Sequence, residues 1–235
     1  MKNIKQKILI MSAFLLIGAT TFENVKAQPT SPIMSYEQII KTSDLKNQKI
    51  QDWQELIKEL KFTTALNEKE KVKLINKFWN KNLISSSDME VWGKSDYWAT
   101  PVESLTKGAG DCEDFVLGKY LSLLAIGVPE DKLKISYVKI RVGGLTSNVY
   151  DSHMVLQYES KNTTFILDNM VAGLKERNKR IDIVEVFSFD NSNIYVKGVY
   201  QASADTIKLW TDYKNRITQQ GKVEKKFTAS TKLRH

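Results

Sequence analysis

Three residues of this chain have side chains suited to covalent hydrolysis: a thiol at Cys112, an imidazole at His153 and a carboxylate at Asp168. Cys112 is the only cysteine, so the chain forms no internal disulfide. A thiol attacks as its thiolate, which a neighbouring base or a helix N-terminus favours. Of the two histidines, His235 is terminal, so imidazole chemistry falls on His153. So small a supply of cysteine and histidine argues against a zinc centre. Asp111, Glu113 and Asp114 surround the thiol. Their oxygens suit a hard cation such as calcium. Their position at a helix start equally suits capping and the helix dipole.

The elements that must position these groups can be read from periodicity and punctuation. Apolar residues at helical spacing predict helices over 48–60 and 67–80. Thr100-Pro101-Val102-Glu103 is a capping box with proline at the first helical position, and Lys107 to Gly110 ends that short helix. Asp111 then caps a helix running to about Ala125, with too many apolar residues for one stripe, so it should be largely buried. Cys112 falls in its first turn, where backbone N–H groups and the dipole are expected to lower the thiol pKa, against repulsion from the three carboxylates. Gly108-Ala109-Gly110 leaves room for a close backbone approach by substrate.

From Lys134 the period changes to that of strands: 134–142, 152–158 and 163–167, then a hairpin over 184–189 and 193–196, then a helix over 202–217. A tight turn at Lys161-Asn162 pairs Ser160 with Thr163. Counting back, Val155 faces Asp168 and His153 faces Met170, so His153 and Asp168 are diagonal neighbours on one sheet face. A carboxylate so placed can hold the imidazole tautomer and stabilise its charged form. Helices followed by a meander mean α+β, a helix layer packed on an antiparallel sheet with the nucleophile at a helix N-terminus. Each group also has a structural reading: an inert buried thiol, a satisfied histidine, a turn carboxylate. Trp92, Tyr97 and Trp98 read as core or as one wall of a cleft.

Four segments now carry a resemblance. Tyr97-Trp98-Ala99-Thr100-Pro101, Gly108-Ala109-Gly110-Asp111-Cys112-Glu113-Asp114-Phe115, Ser152-His153-Met154-Val155-Leu156 and Leu167-Asp168-Asn169 are similar to the bacterial transglutaminase-like cysteine proteinases of the LapG type. The resemblance runs from about Asp88 to Tyr195. It implies a papain/transglutaminase-like fold, a catalytic Cys112, His153 and Asp168, and calcium held by Asp111 and Glu113 with Asp114 adjoining. It departs from the family pattern at Ser152, where alanine is expected, and at Ser188-Phe189-Asp190, where asparagine is expected last. It further implies a periplasmic protease that cuts the N-terminal retention region of a large surface adhesin, releasing cells from a biofilm. An inner-membrane receptor for cyclic di-GMP is expected to sequester it. A transglutaminase or amidase would use the same triad, and a non-catalytic calcium-dependent binding module would dispense with Cys112.

Composition sets the frame. At 42% hydrophobic and 26% charged residues, 235 residues can build one domain with a real core. Lys2, Lys5 and Lys7, the apolar run 8–19 and Val25-Lys26-Ala27 read as an export signal over 1–27. Removing that segment, with four lysines and one glutamate, takes the formal charge from +8 to +5. One protease domain is expected over 28–217, followed by a basic, flexible tail over 218–235 that suits an anionic surface or a solvated end. No alternation of basic and aromatic residues points to nucleic acid.

Overall fold

In a computed structural model, residues 47–144 and 146–232 are described. The expected export signal lies outside these residues. Helix α1 (Gln48–Phe62) starts where the Asn47 side chain accepts the N–H groups of Lys49 and Ile50, and it buries Ile50, Trp53, Ile57 and Leu60. Helix α2 (Glu68–Asn82) opens on an Asn67–Glu70 capping box and buries Val72, Ile75 and Trp79. A short strand β1 (Ile84–Ser85), a helix α3 (Asp88–Trp92), a helix α4 (Pro101–Lys107) and a strand β2 (Ala109–Gly110) lead to helix α5 (Cys112–Ala125). As expected, α5 is buried along almost its whole length.

Two tryptophans clamp α5 at one point. The indole N–H groups of Trp53 and Trp79 both donate to Ser122 Oγ, at 2.8 and 2.9 Å, and that hydroxyl donates to Gly118 O at 2.6 Å. The two rings meet edge to face at 6.1 Å. Gly118 makes the approach possible, since a Cβ there would lie 2.6 Å from three atoms of the Trp79 ring.

The chain then forms strands β3 (Leu133–Val142), β4 (Val149–Ser160), β5 (Thr163–Leu167), β6 (Lys175–Glu176), β7 (Ile183–Phe189), β8 (Asn193–Val196) and β9 (Val199–Ser203). They make one antiparallel sheet in the order β6-β5-β4-β3-β7-β8-β9. Lys161, at φ 52°, makes the tight turn that joins β4 to β5 with Ser160 opposite Thr163 and Leu156 opposite Leu167. One sheet face, carrying Ile135, Met154, Leu156, Tyr158, Leu167 and Phe189, shares the main core with the helices. The other carries a smaller cluster of Val138, Ile140, Val155, Ile166 and Ile183.

The C-terminal part differs from expectation. Residues 202–207, read as helix, instead finish β9 and form a 3₁₀ turn, and the last helix, α6, runs from Lys208 to Lys232. Lys197 and Gly198, with φ 51° and 76°, turn the chain back and create β9. The segment expected as a tail from 218 continues α6. The reason lies in its contacts: Trp210, Tyr213 and Ile217 are buried in the main core, and Gln220 donates to Thr100 Oγ1 at 3.0 Å.

Candidate active site

Cys112 is the first residue of α5, and the β1–β2 pair fixes the approach to it. Ile84 is paired with Ala109 and Ser85 with Gly110, and Ser86 N donates to Gly110 O at 3.0 Å. The Cys112 Sγ donates to Glu113 Oε2 at 2.8 Å, and the Met154 N–H lies against the same sulfur. Burial first, then Glu113 and Asp111, push the thiol well above its ordinary pKa. The expectation that the helix N-terminus lowers it is therefore corrected. About half a unit of positive charge cannot outweigh desolvation and two adjacent carboxylates.

On β4, His153 is buried and its Nε2 lies 2.8 Å from Asp168 Oδ1. Asp168 follows β5 directly and faces the strand position two residues on from His153, as the turn register implies. Its Oδ1 also accepts the Met170 N–H at 2.9 Å, and its backbone oxygen accepts Asn80 Nδ2 at 2.7 Å. Burial alone would raise the Asp168 pKa. The His153 bond and charge, the Met170 N–H and Arg180 outweigh it and hold the carboxyl at about 2. An ionised carboxylate only accepts hydrogen bonds, so Nε2 carries the proton and Nδ1 is the basic nitrogen.

Among the described residues no hydrogen bond joins Cys112 to His153. Met154, buried in the main core, brings its N–H against the Cys112 sulfur, and His153 is the preceding residue of the same strand. The structure thus joins His153 to Asp168 and sets β4 on the nucleophile, with the sulfur held by Glu113.

The other carboxylates form a second cluster. Asp88, Asp111 and Asp114 each bring a carboxylate oxygen within 4.8 Å of the others. One oxygen of each, Asp88 Oδ1, Asp111 Oδ1 and Asp114 Oδ2, is buried without a hydrogen-bond partner. Asp111 occupies the N-cap position of α5 yet makes no capping bond. Asp114 Oδ1 accepts the Ala99 N–H at 2.8 Å, and Asp88 accepts the Tyr97 N–H, so the two hold one loop from both sides. Burial and the neighbouring Asp111 raise Asp88 to about 6, burial and Glu113 raise Asp111, and burial and Asp111 raise Asp114. Buried oxygens that repel one another and lack donors need protons or a cation. An all-oxygen set of this kind fits calcium. Glu113 stands beside Asp111 and on the thiol, bridging the two clusters. Trp98 is core, stacked on Phe189 at 6.1 Å, whereas Trp92 and Tyr97 meet at 4.9 Å and are half-buried.

Sequence reasoning missed two residues here. Asp88 starts a five-residue helix, and nothing in its spacing announces a partner at Asp111. Arg180 is buried, with Nη2 2.8 Å from Asp168 Oδ2, and lies in a loop without periodicity.

A thiol at the start of a buried helix, laid against a sheet that carries a paired imidazole and carboxylate, is the arrangement of a papain- or transglutaminase-like thiol enzyme. The chain belongs to the family of bacterial transglutaminase-like cysteine proteinases, whose profile matches residues 35–181, and it is a cysteine protease. Its fold is similar to that of LapG from Legionella pneumophila. The two are 27% identical with a TM-score of 0.64, over 80% of this chain and 99% of that one. An EGTA-treated LapG from the same organism matches at 26% identity and a TM-score of 0.65, over 80% and 100% of the two chains. A calcium-bound LapG matches at 26% and 0.61, over 79% and 98%. Curated proteins gave no match.

Proposed function

We propose that this protease is a calcium-dependent, exported endopeptidase that cuts the N-terminal region of a large surface adhesin and so releases cells from a biofilm. Cys112 is the nucleophile, His153 the acid and base, and Asp168 the carboxylate that orients the imidazole. Nδ1 takes the Cys112 proton, the sulfur attacks the scissile carbonyl, and the imidazolium protonates the departing amine. The Cys112 N–H donates to the developing oxyanion. Water, deprotonated by Nδ1, then displaces the sulfur from the thioester, and the sulfur recovers the proton. For this the thiol must leave Glu113 for the imidazole, a contact that substrate tightens in such enzymes.

Asp88, Asp111 and Asp114, with Glu113 alongside, would hold calcium, whose charge offsets the carboxylates that oppose the thiolate. Residues 1–27 send the chain to the periplasm, and an inner-membrane receptor for cyclic di-GMP sequesters it. The likeness to calcium-bound and EGTA-treated LapG supports the metal reading. The observation that carries the catalytic reading is the Asp168-held imidazole, one residue from the Met154 N–H that lies against the Cys112 sulfur.

The test incubates the purified protein with the N-terminal region of the large repetitive adhesin of the same organism. Cleavage should need calcium, stop with EGTA and be absent in Cys112→Ala, whose thermal melt should match the parent. An amine donor in the mixture should leave the fragments unmodified. Cleavage by Cys112→Ala would overturn the nucleophile, and full cleavage in EGTA would overturn the metal.

A further inference from the structure

Beyond the three proposed catalytic residues, the Asp168 carboxylate has a buried cationic neighbour. Arg180 Nη2 lies 2.8 Å from Asp168 Oδ2, and only 4% of the Arg180 side chain is exposed. Arg180 is itself held from the far side. Its Nε donates to Asp182 Oδ1 at 2.8 Å and its Nη2 to Asp182 Oδ2 at 2.8 Å. Asp182 is tied to the sheet through its backbone oxygen, which accepts the Arg141 N–H at 2.8 Å. Arg177 adds a bond from Nη1 to the Arg180 oxygen at 3.3 Å. The result is an unbroken series from the central strand β3 through Asp182, Arg180 and Asp168 to His153.

We infer that Arg180 is a positioning residue of this protease, acting on His153 through Asp168; the inference rests on the proposed triad. Two features of the series support it. The first is geometric. Asp168 uses Oδ1 for His153 and Met170, so Arg180 at Oδ2 fixes rotation of the carboxylate and keeps Oδ1 on Nε2. Guanidinium suits this place because its planar fork grips Asp182 through Nε and Nη2 together while Nη2 also meets Asp168, an orientation that a rotating ammonium does not fix. The second is charge. With His153 protonated, His153, Asp168, Arg180 and Asp182 carry two positive and two negative charges. With His153 neutral the set is left with one excess negative charge. Arg180 and Asp182 thus add no net charge to the His153–Asp168 pair, and Asp168 is shared between two partners instead of resting on the imidazole alone. Arg180 does not touch the thiol, so its effect belongs in turnover and not in substrate binding.

The experiment compares the parent with Arg180→Met, Arg180→Lys, Asp182→Asn, Asp168→Asn and Arg180→Met/Asp168→Asn, using the adhesin fragment with calcium present. In Arg180→Met, kcat should fall roughly tenfold to a hundredfold, the scale found for groups that orient functional imidazoles in metal sites, with KM nearly unchanged. Arg180→Lys should recover part of the loss. The double variant should be no slower than Asp168→Asn. A second reading needs no substrate: in a His235→Gln background the His153 Nε2–H proton should give a low-field NMR resonance that Arg180→Met broadens away. Parental kcat and an unchanged resonance in Arg180→Met would overturn the inference, as would losses that multiply in the double variant. If Arg180→Met does not fold, Asp182→Asn carries the test. Its partly exposed site tolerates the change, and parental turnover with an unchanged resonance would overturn the inference. Should Cys112→Ala or Asp168→Asn cleave at the parental rate, the triad itself fails, and the resonance alone decides whether Arg180 holds His153.

Discussion

Lys119 lies fully buried in the middle of α5, and its Nζ has no hydrogen-bond partner. The centroid of the Phe115 ring lies 5.8 Å from Nζ. Burial drives its pKa from 10.5 down to about 7, and the charge of Asp168 offsets this only in part. The difference of about 3.5 units corresponds to about 5 kcal/mol of selective cost for the buried ammonium. The unfolded chain holds this proton up to about pH 10.5, whereas the folded chain releases it above about 7. Between those values the unfolded state binds more protons, so stability rises with pH by about 1.4 kcal/mol per unit. Below pH 7 the folded protein bears the whole cost. Lys119→Met keeps most of the volume and removes the charge, and the repacking itself should change stability by less than about 1.5 kcal/mol. At pH 6 the variant should therefore be more stable than the parent by about 3–5 kcal/mol, which for a chain of this size raises Tm by roughly 6–20 °C. At pH 10 the titration difference should shrink below about 1 kcal/mol. Urea melts followed by tryptophan fluorescence at pH 6, 8 and 10 measure both. A variant less stable than the parent at pH 6, or a gap that stays constant across the range, would refute the reasoning.

Two further changes test the scaffold of the site. Asp88→Asn should weaken calcium binding by about tenfold or more in calorimetry, yet raise the calcium-free melting temperature by relieving repulsion with Asp111; unchanged affinity would remove Asp88 from the ligand set. Gly118→Ala should destabilise by about 1–3 kcal/mol in urea melts, because its Cβ collides with the Trp79 ring; an unchanged melt would mean that α2 shifts freely on α5.

What could be read beforehand follows from how locally each feature is determined. Helices α1 and α2 bury one stripe apiece, and their spacing exposes that stripe directly. The two-residue turn at Lys161-Asn162 fixes the β4–β5 register by itself, so the diagonal placement of His153 and Asp168 on one sheet face is legible in the sequence. The positive φ of Lys197 and Gly198 is equally local, but the strand it creates is mostly exposed on both faces and shows no alternation to find. The pairing of Asp88 with Asp111, and of Arg180 with Asp168, arises only when distant segments meet, and no spacing rule links them.

The acidic trio around Cys112 shows why even neighbouring residues could not be sorted. Successive helical residues point about 100° apart, so Glu113 and Asp114 were bound to face different surroundings. In the structure Glu113 turns to the Cys112 sulfur, while Asp114 turns inward to the Ala99 N–H and to the cluster with Asp88 and Asp111. Choosing between those directions beforehand requires knowing which side of α5 is inside. A helix with one apolar stripe supplies that direction, but α5 is apolar nearly all round and buried nearly all round, so its pattern names no inward side. The same burial defeats the expected depression of the thiol pKa. The signs of the nearby charges are written in the residue order, but the depth that lets burial dominate depends on β4 and the helices closing over the start of α5.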